Sequence, residues 1–196
     1  MLGINLSFKQ TTGEKSICRI EDVCQLIKGG YPTLKTPPGE YPLVVTATFR
    51  RSANTYQIDG KAICVPLISS TGHGHAALHR IHYEEGKFAV ANLLVALVVK
   101  DENICLPKYL YYLLDIKRDE YFVTLMKGSA NVSLKLKDIA NVMIPLPTIS
   151  EQRRIVKKID ELASKIDLLK KLQAETEKEL NALLPSILDK AFKGEL

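Results

Sequence analysis

The stretch EQRRIVKKIDELASKIDLLKKLQAETEKELNALL, residues 151–184, contains no glycine or proline and consists almost throughout of strong helix formers. Ser150 is a typical N-cap residue, and Pro185 is expected to kink or restart the helix. Gly194 is expected to end the short segment that follows. A helix over residues 151–184 extends about 50 Å at about 1.5 Å per residue, which is too long for a domain of this size to cover.

A heptad repeat runs along this helix when Ile159 is taken as position a. The resulting seam is apolar at both ends and polar in the middle. Soluble monomers rarely leave an apolar stripe of this length in water, so we expect a second helix to cover it. The predicted interface residues are Ile155, Ile159, Leu162, Ile166, Leu169, Gln173, Leu180, Leu183 and Ile187.

The charges beside the seam favour an antiparallel pair of two copies. A parallel pair sets Lys165 of one copy against Lys170 of the other, whereas an antiparallel pair brings Lys165 beside Glu179. In the antiparallel alignment Gln173 and Thr176 lie near the two-fold axis, where polar layers can fix the register. The sequence therefore predicts an antiparallel homodimer, or pairing with a second similar chain.

The residues before this helix predict a small mixed domain, so the fold class expected for the whole chain is α+β. Apolar runs separated by turns suggest strands at 41–47, 62–68 and 88–99. Helices are expected over 20–26, from Pro107 towards Met126, and after a cap at Ser133. We place the domain at residues 1–147 and the long helical region, for dimerisation and partner docking, at residues 148–196.

Composition narrows the possible functions. The chain has 196 residues, 46% of them hydrophobic and 25% charged, with a formal net charge of +5. Its four cysteines form no CxxC pair, and its longest apolar run, residues 88–99, is too short to cross a bilayer. No nucleotide-binding, metalloprotease or hydrolase motif is present. We expect a reduced cytoplasmic protein without membrane insertion, cofactor or catalytic activity.

Polar loops of the mixed domain carry side chains suited to phosphates and base edges. Lysine and arginine stand there among tyrosine, threonine and serine, a pattern compatible with DNA binding and equally with an ordinary solvated surface. The candidate DNA-binding residues are Lys28, Tyr31, Thr33, Lys35, Thr36, Arg50, Arg51, Ser70, Thr71, His73, His75, Lys127, Ser129 and Asn131.

All four histidines, His73, His75, His79 and His82, fall within ten residues. Such a cluster suggests a metal site, but no cysteine or carboxylate stands at a suitable spacing from the first two. Loop histidines that donate to DNA are the preferred functional reading, because Gly72 and Gly74 permit close backbone approach. Plain exposed histidines are the alternative. We predict no metal.

Two segments around the long helix resemble the helical region of Type I restriction-modification specificity subunits: IPLPTISEQRRIVKKIDELASKIDLL, residues 144–169, and LLPSILDKAFKGEL, residues 183–196. The order of IEDVCQLIKGGYPT and KGSANVSLKLKDIANVMIPLP upstream is similar to the frame of that family's target recognition domain. The resembling residues are Gly29, Gly30, Ile144, Pro145, Pro147, Glu151, Gln152, Ile155, Val156 and Gly194.

The resemblance implies a non-catalytic subunit whose recognition domain reads double-stranded DNA and whose helix docks adenine methyltransferase subunits. Methyl transfer from S-adenosylmethionine, and cleavage by a restriction and translocase subunit, would belong to partner chains. Members of this family usually carry two recognition domains and two helical regions, whereas this sequence has one of each and resembles a half subunit. It would then read one part of a bipartite site, paired with a second copy or another half subunit.

Two other classes of protein remain as alternatives. A stand-alone dimeric DNA-binding regulator would need no methyltransferase, but the long spacer helix argues against it. A metal-dependent nuclease would use the histidine cluster, and its activity would be lost on chelation.

Overall fold

The computed structural model describes residues 16–71, 74–129 and 131–194. The strands are β1 Ser16–Arg19, β2 Cys24–Lys28, β3 Tyr41–Val44, β4 Arg51–Ala53, β5 Ile58–Pro66, β6 His82–Val90, β7 Leu94–Val99 and β8 Met143–Leu146. The α-helices are α1 Ile20–Val23, α2 Pro107–Ile116, α3 Arg118–Tyr121, α4 Leu136–Ala140 and α5 Ile149–Lys193, with a 3₁₀ turn at Val123–Leu125. The predicted α+β class with a long C-terminal helix is confirmed.

A six-stranded sheet in the order β2-β7-β5-β6-β3-β4 forms the centre of the mixed domain. Alternating residues of its strands enter two different apolar clusters, as the two-residue period of a strand requires. Ile63 and Val65 of β5 pack with α2, α4 and the 3₁₀ region on one face, whereas Ala62 and Cys64 pack with β3 on the other. Because both faces are covered there, β7 and the second half of β5, residues 62–66, are apolar throughout.

Directly after β2 the chain runs beside the end of β6. The amide of Tyr31 donates to the carbonyl of Val90 at 3.2 Å, and Tyr31 pairs with Ala91 just after β6. Gly29 makes this approach possible, because a Cβ atom at that position would overlap the carbonyl oxygen of Ala91. Gly30 beside it has open space around the corresponding position.

A separate two-stranded sheet joins β1 to β8, with Ser16 opposite Leu146. Directly after β8 the hydroxyl oxygen of Thr148 accepts from the amide of Glu151 at 3.3 Å, so Thr148 caps α5 and the helix begins at Ile149. The fully buried side chain of Gln152 makes three hydrogen bonds. Its Oε1 accepts from the amide of Leu106 at 2.8 Å, and its Nε2 donates to the carbonyls of Ile104 and Pro147, both at 2.9 Å.

The chain divides into two compact units between Arg153 and Arg154, so the first turn of α5 belongs to the mixed domain. The second unit is the rest of α5. In the described ranges no helix is both long and apolar enough to cross a bilayer.

Several local expectations are wrong. The run 88–99 is two strands, because Asn92 lies in a turn where the amide of Leu94 donates to the carbonyl of Ala91. The helix expected over 20–26 ends at Val23, after which β2 begins. The helix that Pro107 opens is confirmed at its start, but it ends at Ile116 and the chain continues as the shorter α3 and 3₁₀ turns.

The expected helix ends also differ from the structure. Ser133 does not cap α4, since it exchanges backbone hydrogen bonds with Lys127 and the helix begins at Leu136. Thr148 rather than Ser150 caps α5. The helix continues through Pro185, although proline lacks the N–H that would bond to the carbonyl of Asn181. Asn181 is exposed, so water can supply that hydrogen bond.

The cysteines and one tyrosine lie in the core. All four cysteines are buried free thiols, and burial raises the pKa of Cys64 and Cys105 to about 12, which keeps them protonated at neutral pH. Tyr109 is buried, and its hydroxyl donates to the carbonyl of Pro145 at 2.9 Å.

Replacing Gln152 by leucine is expected to lower the free energy of unfolding by about 3 kcal/mol, because it leaves an amide and two carbonyl groups in a part-buried region without partners. Urea unfolding at fixed protein concentration measures this loss. The matched control is Arg153→Leu, one residue away and exposed, which we expect to change stability by less than about 0.5 kcal/mol. Equal losses in the two variants would contradict a role for the Gln152 hydrogen bonds.

Candidate nucleic-acid interface

An open cleft of about 620 Å³ lies on the mixed domain between the loop after β2 and the segment that contains β4. We call it the basic cleft. Its lining residues are Thr33, Leu34, Thr36, Pro38, Phe49, Arg50, Arg51 and Ser52. Four of the candidate DNA-binding residues therefore lie together: Thr33, Thr36, Arg50 and Arg51.

One wall of the basic cleft is a tight turn built on the carbonyl oxygen of Pro32. That oxygen accepts from the amides of Lys35 and Thr36 at 3.3 and 3.1 Å and from the hydroxyl of Thr36 at 2.6 Å. The Thr36 hydroxyl, predicted to face DNA, thus also stabilises the turn. Lys35 is exposed.

The other wall is held to this turn by hydrogen bonds between the two segments. Nη1 of Arg51 donates to the carbonyl of Thr33 at 2.9 Å, the amide of Asn54 donates to the carbonyl of Pro37 at 3.1 Å, and the amide of Gly39 donates to the hydroxyl of Ser52 at 3.4 Å. Three contacts of this kind fix the width of the cleft without help from a ligand.

Arg50 is anchored from the sheet side of the cleft. Its Nε donates to a carboxylate oxygen of Glu84 at 2.6 Å, and its Nη1 lies 3.2 Å from Nδ1 of His82. These contacts use two of the five N–H donors of a guanidinium group. The side chain is therefore held in place by the domain and still offers donors to the cleft.

His82 is 4% exposed, and its environment disfavours the charged imidazolium. Burial, then the positive charges of Arg50 and Arg80, lower its pKa from 6.5 to about 4, while the backbone of Thr46 and Val45 acts in the opposite direction. A neutral ring accepts from Arg50 through Nδ1. Its buried Nε2 has no hydrogen-bond partner among the described residues.

A second polar surface forms where the loop after β5 meets the loop before α4. We call the described residues of 69–77 and 127–133 the paired loops. The amide of Ser69 donates to the carbonyl of Val132 at 2.9 Å, and Gly74 approaches Ser129 so closely that a Cβ there would lie 2.7 Å from the Ser129 carbonyl oxygen. The structure thus brings together the candidates Ser70, Thr71, His75, Lys127, Ser129 and Asn131.

Within the paired loops the hydroxyl groups shape the backbone. The hydroxyl of Thr71 donates to the carbonyl of His75 at 2.7 Å, and that of Ser70 donates to the carbonyl of Ala77 at 3.0 Å. His75, Lys127, Ser129 and Asn131 are exposed, so their side chains remain accessible. His73 lies outside the described residues.

The remaining two candidates, Lys28 and Tyr31, are not among the lining residues of the basic cleft. The hydroxyl of Tyr31 lies 2.9 Å from that of Thr55, and the carbonyl of Lys28 accepts from the side chain of Gln57 at 2.8 Å. The side chain of Lys28 is exposed.

The histidine segment splits between surface and core. His75 and His79 are exposed, whereas His82 is the first residue of β6 and is buried. Across the described ranges, no group of three His, Cys, Asp or Glu side chains is placed to hold a metal ion.

Sequence reasoning missed three residues of this region. Leu34 and Phe49 line the basic cleft although both are apolar and exposed. Arg118 donates through Nε to the carbonyl of Leu78 at 3.0 Å and so holds the end of the loop that follows β5. The only signal for Phe49 was its position directly before Arg50 and Arg51.

The seam predicted on α5 is half exposed from Leu162 to Ile187. Two further leucines, Leu168 and Leu172, are exposed to a similar degree outside that seam or at its flank. Leu172, at heptad position g, borders the seam beside Gln173, whereas Leu168, at position c, lies on the side of the helix away from it.

The chain is similar to known proteins along most of its length. The model of the Type I restriction modification DNA specificity domain matches residues 13–178. The specificity subunit of the type I restriction enzyme EcoBI from Escherichia coli is 35% identical over 103 residues, which are 52% of this chain and 22% of that protein. The EcoKI specificity subunit from Escherichia coli strain K12 is 30% identical over 106 residues, 53% of this chain and 22% of that protein.

The chain is also similar in structure to solved subunits of type I R-M systems. The HsdS subunit from Thermoanaerobacter tengcongensis has a TM-score of 0.63 at 26% identity, covering 95% of this chain and 47% of that one. A chain from a structure of complex assembly and conformational transition of the type I R-M system has a TM-score of 0.66 at 26% identity, covering 98% of this chain and 49% of that one. The chain thus spans about half the length of these relatives.

Replacing His82 by asparagine, which keeps an acceptor near the position of Nδ1 but does not titrate, is expected to flatten the pH dependence of stability. The folded-state pKa of His82, about 4, lies below the unfolded value near 6.5. The native protein therefore loses up to about 3 kcal/mol of unfolding free energy as the pH falls from 6.5 to 4. Urea unfolding across this range measures the slope.

The control is His79→Asn, which replaces an exposed histidine three residues away. We expect it to leave the slope unchanged. A His82→Asn variant with the wild-type slope would show that His82 is protonated equally easily in the folded and unfolded chain.

Proposed function

Because the chain belongs to the family of Type I restriction modification DNA specificity domains, we propose that it recognises a DNA sequence and performs no chemistry on it. In this proposal it directs adenine methyltransferase subunits, and with them a restriction and translocase subunit, to a bipartite site in double-stranded DNA. S-adenosylmethionine binds to the methyltransferase partner. One copy reads one part of the site.

The basic cleft is the observation that carries the proposal. Arg50 and Arg51 stand side by side at an open surface, each anchored by part of its guanidinium group. Anchored arginines lose less conformational freedom on binding than free ones, so their remaining donors suit phosphate oxygens. Phosphate contacts position a protein on DNA but carry no sequence information by themselves.

Base reading is assigned in this proposal to the paired loops. His75, Lys127 and Asn131 present donors and acceptors at an exposed surface whose backbone is fixed by internal hydrogen bonds. A rigid backbone with exposed polar side chains is what direct readout in the major groove requires. The bases that these side chains select depend on their orientation in the complex.

The long helix α5 supplies the proposed contacts to other chains. Its half-exposed seam suits a second copy in antiparallel orientation, which would place two recognition domains in a symmetric pair. Such a pair reads two inverted half-sites separated by a fixed gap. Docking of the methyltransferase subunits is assigned to the same helical region.

Replacing Arg51 by glutamine is expected to reduce the slope of log affinity against log salt concentration by about one, because one phosphate contact and its released counterion are lost. Binding to a randomised duplex pool is measured by fluorescence anisotropy between about 50 and 200 mM salt. The control, Lys117→Gln, removes an equal charge from an exposed residue that pairs with Glu120. Equal slopes for wild type and Arg51→Gln would remove this arginine from the interface.

The chain is expected to be a dimer at micromolar concentration, and Ile166→Glu is expected to make it a monomer, because the charge would be buried in the seam. Light scattering measures the mass. Ser164→Glu places the same charge on the exposed side of the helix away from the seam and should leave the dimer intact. A monomeric wild-type chain in complex with its partner subunits, or a selected binding motif without inverted repeats, would refute the symmetric pair.

A further inference from the structure

Three short segments of the mixed domain, around residues 68, 127 and 133, lie side by side and pair through their backbones. Ile68 pairs antiparallel with Ser133, and Ser133 pairs antiparallel with Lys127. The amides of Lys127 and Ser133 each donate to the carbonyl of the other residue at 2.9 Å, and two hydrogen bonds of 2.8 and 2.9 Å join the residues that flank Ile68 and Ser133. We call these three paired positions, Ile68, Ser133 and Lys127, the exposed row.

The side chains of the exposed row lie on one face of this backbone, and that face is open to solvent. Directly opposite residues of an antiparallel pair share a face, with Cβ atoms about 4.5–5.5 Å apart, so the row is about 10 Å long. The intervening residues Leu67, Val132 and Leu134 pack in the apolar core on the other side, as strand alternation requires. All three members of the row are exposed, Ile68 to 36%.

The exposed row carries an aliphatic side chain, a hydroxyl group and an ammonium group, in that order. Lys127 makes no ion pair within the part of the chain that the structure describes, so its charge is available to a ligand. One partly exposed isoleucine offers a protein partner little apolar area, but it can contact a group as small as a methyl.

The chemistry of the row matches one groove of duplex DNA. Only the major groove presents a methyl group, on thymine, together with the acceptors O6 and N7 of guanine. The minor groove presents no methyl group to an aliphatic side chain. The major groove also admits a β-ribbon, and the paired segments of the row have that backbone form.

We infer that the exposed row reads base edges in the major groove, where Ile68 contacts the methyl group of a thymine and Lys127 donates to O6 and N7 of a guanine. The Ser133 hydroxyl lies between them and suits either base. The inference rests on the proposed function and deepens it, because it adds Ile68 and Ser133 to the base-reading surface and names two of the bases. Since successive base pairs are about 3.4 Å apart, a row of about 10 Å places the thymine and the guanine about three base pairs from each other.

Thymine reading is tested with the full chain and a duplex selected from the randomised pool, in which each thymine is replaced in turn by uracil. Uracil lacks only the methyl group, so at one position the wild-type chain should bind about fourfold more weakly. Ile68→Ala should lose a similar factor on the thymine duplex and show no further loss with uracil. Ile68→Val keeps a branched aliphatic side chain and should keep most of the uracil effect.

Ile17→Ala is the matched control for Ile68→Ala. Ile17 is 67% exposed on β1, which belongs to the separate two-stranded sheet. Its replacement removes the same atoms from a surface outside the exposed row. We expect the affinity for both duplexes, and the uracil effect, to stay at the wild-type values.

Guanine reading is tested with 7-deazaguanine, which lacks the acceptor N7. At one position this base should weaken binding of the wild-type chain by about tenfold, and Lys127→Gln should abolish the difference between the two bases. A pool selected with Lys127→Gln should also lose the guanine preference at that position. Lys117→Gln removes an equal charge from a residue paired with Glu120 and should keep the preference.

The outcomes separate the exposed row from the proposed function. Sequence-selective binding without a uracil-sensitive position, or a uracil effect that persists in Ile68→Ala, overturns the row alone. If Lys127→Gln weakens binding equally for all sequences and lowers the salt slope by about one, the lysine contacts a phosphate, which also overturns the row alone. Binding without any sequence preference, or no binding to the pool, overturns the row and the proposed function together.

Discussion

The three hydrogen bonds of Gln152 are the interaction that holds the start of α5 on the mixed domain. A buried amide side chain is stable only when its donors and acceptor are all used, and here its partners come from two segments, residues 104–106 and Pro147. The first turn of α5 is therefore fixed to the mixed domain, and with it β8, which pairs with β1 and accepts from Tyr109. Loss of the Gln152 amide would leave the amide of Leu106 and the carbonyls of Ile104 and Pro147 without this partner.

Two arginine side chains at the surface are likewise held in place by hydrogen bonds to other parts of the domain. Arg50 is held by Glu84 and His82, and Arg51 by the Thr33 carbonyl. The partly buried ion pair of Arg50 with Glu84 adds little net stability, because the desolvation of both charges offsets their attraction. What it does provide is a fixed direction for the guanidinium group.

Sequence reasoning recovered the features that depend on local periodicity. The long α5, the start of α2 at Pro107 and the α+β class follow from helix propensity, proline geometry and alternating apolar runs. It failed where tertiary contacts decide, as at Ser133, whose backbone pairs with Lys127 instead of capping a helix. Leu34 and Phe49 were missed because an apolar residue in a loop is usually expected to pack inward, and only the hydrogen-bonded turn shows that Leu34 points to solvent.

The backbone of the turn at residues 32–36 is held almost entirely by main-chain groups, so its shape depends little on which side chains it carries. Its hydrogen bonds use the carbonyl of Pro32, two amides and one threonine hydroxyl, so the side chains of Leu34 and Lys35 take no part in them. Thr33 contributes to the contact with Arg51 through its carbonyl only. Substitutions at positions 33–35 can therefore alter the chemistry of the cleft while its backbone stays in place. Thr36 and Arg51 differ from these positions, because their side chains both line the cleft and hold its walls, so a substitution there changes the surface and the backbone together.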